Sequence, residues 1–309
     1  MTSHIYPVKG TEKIPMKGCS EEASHIMANA QRFLEKFNSI KTLPHVAMQL
    51  SKLIVDESSS LQEFREVIKL DPTLVVRLLR LVNSPYYGLQ QKVESIERAM
   101  IFLGVKNLRN LVIMEALKDI FRERPTDEIF SRSMLWLHCA AVSICSQMVS
   151  ERIFEQKGED AFLCGILHDI GMIVEAQVAQ EPFLYICRTF QPEAASIAEY
   201  EQEILGTDHS EIGSLLAKDW RLPHEVVQGI RCHHTRLVDV SPSEIPGILQ
   251  ISEYMVSNMD YKALPRLKGF ISPCLGAHIR DNLSEYKALA RDLPQEISKA
   301  RDLYEAKGE

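Results

Sequence analysis

Apolar residues recur at helical spacing along almost the whole chain, and the strict alternation of a half-buried strand is hard to find. The pattern predicts an all-α protein. Residues 21–39 (EEASHIMANAQRFLEKFNS) read as an amphipathic helix, and residues 1–20 as loose chain. Thr42-Leu43-Pro44 opens a second helix with Pro in its first turn, and Ser60-Leu61-Gln62-Glu63 has the form of a capping box. Asp71-Pro72 starts the next helix, with Asp as N-cap and Pro at N1. Its apolar stripe is Leu74, Val75, Leu78, Leu79 and Val82. Asn83 is placed to take a left-handed conformation at its end, and Pro85 blocks continuation. Residues 96–121 predict two helices broken near Gly104. The polar stretch Arg122–Asp127, with Pro125, marks a subdomain boundary. A helix follows Pro246 and runs through Glu253, and a charged helix occupies roughly 284–307. No internal repeat or low-complexity segment is found.

Composition narrows the class. With 309 residues, 45% apolar and 25% charged, the chain can bury a sizeable core and is not of disordered type. A net charge of −7 argues against a broad nucleic-acid footprint, though a local basic patch stays open. No basic region followed by an apolar core opens the sequence, and no apolar run is read as long enough to span a bilayer. The expectation is therefore a cytoplasmic protein with no membrane partner. Its 7 cysteines are scattered without a CxxC pair and are read as reduced thiols, most of them small core residues.

Chemistry concentrates after residue 130. His138 lies in the apolar helix MLWLHCAAVS, and the doublet His168-Asp169 in FLCGILHDIGMIVEAQ. His209 stands near a helix start, with Asp208 as candidate cap and Glu211 three residues on. His233-His234 end VVQGIRCHH, and Glu253 lies in ILQISEYMV. Imidazole and carboxylate suit Fe, Mn or Zn, and a carboxylate beside a His can serve one cation or bridge two. Ligands on several helices can converge inside a bundle. A metal there acts as a Lewis acid and makes hydroxide near neutral pH, which suits attack on phosphate esters. Each residue also has a plain reading: a buried His is ordinarily a hydrogen-bonded core residue, and His233-His234 complement a helix C-terminus. Asp169 resists that reading, because an unpaired buried carboxylate is costly. His4, His25, His45, His224 and His278 are read as surface or packing residues. Arg77, Arg80, Lys106 and Arg109 form either a small anion site or a solvated helix face.

The segments TLPHVAMQLSKLI, IKLDPTLVVRLLRLVNSPYYG, IERAMIFLGVKNLRNLVI, FLCGILHDIG and DHSEIGSLLAKDWRLPHEVVQGIRCHH closely resemble the HDOD family of bacterial signalling domains, relatives of the HD phosphohydrolases. The resemblance covers residues 40–257. It implies a helical N-terminal half (40–125) packed on an HD-hydrolase-like helical bundle (126–257). Residues 1–39 then form a lead-in with one helix, and 258–309 a C-terminal helical extension. By position, the superfamily's metal ligands fall on His138, His168, Asp169 and Glu253. The additional histidines of the two-metal branch, such as the HD-GYP cyclic dinucleotide phosphodiesterases, fall on His209, His233 and His234. Three departures weigh against hydrolysis. Glu253 stands where the superfamily has Asp, Met172 stands where HDIGK supplies a Lys for substrate phosphate, and nothing resembling GYP lies between 172 and 209.

Two functions follow. The resemblance implies a non-catalytic signalling module that acts on signalling proteins in trans, through a surface around Asn83–Tyr87 or Lys106–Arg109, with a retained divalent-metal shell. The alternative is a metal-dependent phosphohydrolase or cyclic dinucleotide phosphodiesterase. Partner, signal and oligomeric state are not readable from the sequence.

Overall fold

The computed structural model describes residues 16–38, 49, 61–69, 72–121, 129–192, 196–234, 240–259, 261–264, 267 and 269–304. Among them are α-helices and no strand. In chain order these are α1 (Met16–Asn38), α2 (Leu61–Lys69), α3 (Pro72–Val82), α4 (Ile96–Phe121), α5 (Arg132–Arg152), α6 (Glu159–Leu167), α7 (Ile170–Val178), α8 (Gln180–Thr189), α9 (Ile197–Leu205), α10 (His209–Asp219), α11 (His224–Cys232), α12 (Ile245–Ser257), α13 (Pro273–Asp281) and α14 (Leu283–Tyr304). The Thr42–Pro44 helix start, the Ser60 and Asp71 caps and the Arg122–Asp127 boundary lie outside the described residues.

Helices α2 to α4 make a small subdomain. Leu74, Leu78, Leu81 and Val82 are buried on α3, against Phe64 and Ile68 of α2 and the inner face of α4. Gly104 interrupts α4 with φ 76 and ψ 161, where the sequence predicts a break; only glycine reaches that conformation without strain. Asn83 corrects its expectation. It is not left-handed; Gly88, at φ 57, takes that role in the turn. The Asn83 side chain instead clamps the loop: its Nδ2 donates to the carbonyls of Leu79 and Val93, and its Oδ1 accepts from Val93 N, each at 2.7 Å.

The larger unit is built around α5, which is buried along most of its length. Helices α6, α12 and α14 pack on it, and α11 closes the far side of α6. The two units meet where α4 crosses α6. Arg109, 1% exposed, donates to Asp160 Oδ1 at 2.7 Å, and Lys106 Nζ donates to Asp160 Oδ2 at 2.9 Å. Asn110 Nδ2 donates to the Glu159 carbonyl at 2.6 Å. Lys106 and Arg109 are therefore the cross-unit lock rather than an anion site. Arg77 faces Glu115 at 3.7 Å, so it too is opposed by a carboxylate. Tyr86 reaches across to α5, its hydroxyl donating to Gln147 Oε1 at 3.3 Å beside a junction cleft of about 340 Å³.

One further expectation changes. Helix α1 begins at Met16, so residues 16–20 are helical. This lead-in helix packs on α7 and α10, and Asn29 Nδ2 donates to the Gly206 carbonyl at 3.0 Å. By length and composition Arg132–Arg152 and the stretch Glu159–Val178, which is broken at the His168-Asp169 junction, could cross a membrane. However, 78% and 83% of their apolar windows are buried inside the protein.

Candidate metal centre

The chain breaks its helices where it needs side chains to converge. His168 caps the C-terminus of α6, and Asp169 precedes the first residue of α7, so the doublet sits at a sharp helix–helix junction. His138 projects from the middle of α5 and Glu253 from α12. His209 is the first residue of α10, whose N-cap Asp208 accepts from Glu211 N at 2.9 Å, as the sequence predicts. His233 caps α11, with His234 after it. The starts of α7 and α10 touch: a Cβ on Gly171 would lie 2.0 Å from the His209 carbonyl oxygen.

The structure brings all seven predicted residues together. Candidate ligand atoms within 4.8 Å of one another form three overlapping groups: His138, His168 and Asp169; His168, His233 and Glu253; and Asp169, His209, His233 and His234. Asp169 stands between them. Its Oδ2 lies 3.6 Å from His138 Nε2 and 3.3 Å from His168 Nε2, and its Oδ1 lies 3.5 Å from both His209 Nε2 and His233 Nε2.

The ring orientations are fixed from behind. Nδ1 of His138, His168 and His233 faces the carbonyl of Tyr261 (2.7 Å), Gly165 (2.8 Å) and Ile230 (2.6 Å) respectively. A carbonyl only accepts, so each Nδ1 carries a proton and each Nε2 is turned to the centre. There the rings pair, His138 with His168 and His209 with His233, both at Nε2–Nε2 distances of 3.2 Å. Two facing nitrogens need a shared proton or a cation between them. Within each pair the two rings shift in opposite directions. Burial pushes His138 and His233 down to about 4. For His168 and His209 burial acts in the same direction, but carboxylates outweigh it, Asp169 raising the one and Glu201 the other to about 9. Burial pushes Glu253 up to about 7 and lowers His234 strongly.

The donor set fits a divalent cation. Both oxygens of Asp169 and Nε2 of His234 are buried and make no hydrogen bond, which is costly unless a cation or water satisfies them. Clustered imidazole nitrogens with bridging and terminal carboxylates suit Fe, Mn or Zn, so the cluster could hold a metal. A cleft of about 330 Å³, walled partly by Ala23 and Ile26 of α1, reaches His234.

Sequence reasoning missed two acids. Glu201 Oε2 accepts from His209 Nδ1 at 2.5 Å and from His209 N at 3.0 Å. Glu175, wholly buried on α7, lies in one group with Glu201 and His209. Glu175 had a visible signal, a lone acid in the apolar run GMIVEAQV. Glu201, between Glu199 and Glu203, looks like part of a solvated face. Among the remaining histidines, His25 and His224 are exposed, and His278 stacks on Phe154 with ring centroids 5.4 Å apart, as the packing reading expects. The six described cysteines outside α1 are free thiols.

This helical architecture with a His-Asp doublet at its centre places the chain among the HD-like proteins. It belongs to the HDOD domain family, whose model matches residues 40–236. It is 26% identical over 238 residues to an uncharacterized protein of Treponema pallidum, covering 76% of this chain and 44% of that one. It is 23% identical over 135 residues to the cyclic di-GMP phosphodiesterase CdgJ of Vibrio cholerae, covering 44% of this chain and 30% of that protein. The chain thus spans less than half the length of these curated relatives. A solved structure from Shewanella amazonensis, provisionally designated a phosphohydrolase, superposes with a TM-score of 0.63 at 26% identity, covering 88% of this chain and 95% of that one.

Proposed function

We propose that this chain is a regulatory module of bacterial signalling that acts through protein interactions in the cytoplasm, and that its His–carboxylate shell holds divalent metal as a structural or sensory element. The observation that carries the reading is the closure of the shell. His138, His168 and His209 are 0% exposed, Asp169 and His233 1%, and Glu253 2%. A metal-bound hydroxide needs a phosphoester within reach, and six of the seven side chains are buried while His234 lines a cleft. Met172, where the related hydrolases carry Lys, is itself fully buried and offers no charge to a phosphate.

The bridging position of Asp169 favours a second reading, a metal-dependent phosphohydrolase. The names of the Vibrio and Shewanella proteins lend it support, although the Vibrio match covers too little of that protein to locate its activity. One experiment separates the two. The purified protein is analysed for bound metal, then loaded with Mn or Fe and assayed against cyclic dinucleotides and simple phosphoesters. The signalling reading expects bound metal and no turnover, whereas turnover that dies with His168→Ala would establish the hydrolase. Cross-linking and pull-down with the full chain tests for a signalling partner in trans.

A further inference from the structure

We propose that Glu201, with Glu175 buried beside it, is a positioning residue that holds His209 from behind and so builds the Oδ1 side of the metal shell. The inference rests on the shell being a metal site. Three oxygens, both of Glu175 and Oε1 of Glu201, are buried without a hydrogen-bond donor, and both residues are 0% exposed. Glu201 Oε2 takes both of its donors, the ring and the backbone amide, from His209.

The distances choose between a proton and a cation on this outer face. His209 Nδ1 and Glu201 Oε2 are 2.5 Å apart. Two ligands on one cation, each about 2.0–2.2 Å from it, sit farther apart than that at ordinary coordination angles, whereas a short charge-assisted hydrogen bond has this length. The pair is therefore not a third metal site. It fixes the His209 tautomer with Nε2 aimed at Asp169 Oδ1 and His233. Three of the other four shell rings, His138, His168 and His233, take the same orientation from backbone carbonyls. His209, at the first turn of α10, uses a carboxylate instead, which also makes its ring the more basic ligand.

The asymmetry yields the test. Glu201 touches His209 and none of His138, His168 or Glu253, so its loss should weaken one metal position and spare the other. Zinc binding is measured by chelator competition and elemental analysis on the wild-type full chain and on Glu201→Gln and Glu175→Gln, well below each variant's melting temperature. In parallel, zinc-loaded, 15N-histidine-labelled protein is examined for a far-downfield, exchange-protected His209 Nδ1–H. The expected result is that E201Q binds its weaker zinc about 10- to 100-fold less tightly and loses or shifts that signal. E175Q, which leaves the Glu201–His209 contact in place, should stay within about twofold of wild type. Unchanged affinity and signal in E201Q, equal losses in both variants, or no His209 Nδ1–H in the wild type would each overturn the positioning role of Glu201 while leaving the metal reading standing. Failure of the wild type to take up zinc would overturn both. If E201Q does not fold, the wild-type signal and E175Q still decide the matter.

Discussion

A methyl group at position 171 would meet the His209 carbonyl oxygen at 2.0 Å, and backbone cannot rotate aside as a side chain can. Gly171→Ala should therefore push α7 from α10 and cost about 3 kcal/mol, the upper end for overpacking, read as a fall in the urea midpoint. Metal affinity should fall with it, since His209 stands on the displaced turn. Met172, one residue on, tests the chemistry. Met172→Lys restores the charge that the related hydrolases carry, but the side chain position is fully buried. An ammonium there costs on the order of several kcal/mol. The expected outcome is a lower melting temperature and no phosphodiester hydrolysis; a folded variant that cuts a cyclic dinucleotide would argue for the hydrolase reading.

At the scale of elements, α4 and α6 are held together by Asp160 between Lys106 and Arg109. Burial alone would raise the Asp160 pKa; Arg109, then Lys106, outweigh it and hold the carboxyl below its ordinary value. A depressed folded pKa means stabilisation that is complete above the unfolded value of about 3.9 and is lost as pH falls through the folded one. Asp160→Asn strands the Arg109 charge, which is 1% exposed, and should cost about 3 kcal/mol at neutral pH. Urea titrations across pH 2–7 should show the variant with a shallower acid limb than wild type. This lock illustrates what the sequence withheld. Arg109 and Asp160 lie 51 positions apart, and no local pattern ties them. Likewise α1 has a legible amphipathic face but no mark of its partners α7 and α10. The α3 helix, the Gly104 break and the Asp208 cap were legible because their determinants are local: periodicity, a positive-φ glycine and an N-cap side chain. The seven shell residues were legible because His and Asp are rare among apolar neighbours and because their order matched a family. Glu201 was hidden because its position in a helix alternating with other acids carries no sign of which side faces in.

On the scale of the whole molecule, the shell draws its side chains from α5, from the α6–α7 junction and from the ends or bodies of α10, α11 and α12, so any ion it takes ties these segments into one body. Zinc or manganese at a hundredfold over its dissociation constant should add about 2.7 kcal/mol to folding, or roughly 4 °C in melting temperature for a chain of 309 residues, against protein stripped with a chelator. No such shift at any metal tested would count against the proposed site. The paired rings carry a further consequence. If each 3.2 Å imidazole couple holds one proton, then loading the shell is an exchange of protons for cations, and buffer must absorb what is released. Calorimetric titrations in buffers of different ionisation enthalpy should give heats that differ by about two protons per fully loaded chain, and apparent affinity should climb as the medium becomes more alkaline. In that sense the shell couples the availability of metal to the acidity of its surroundings.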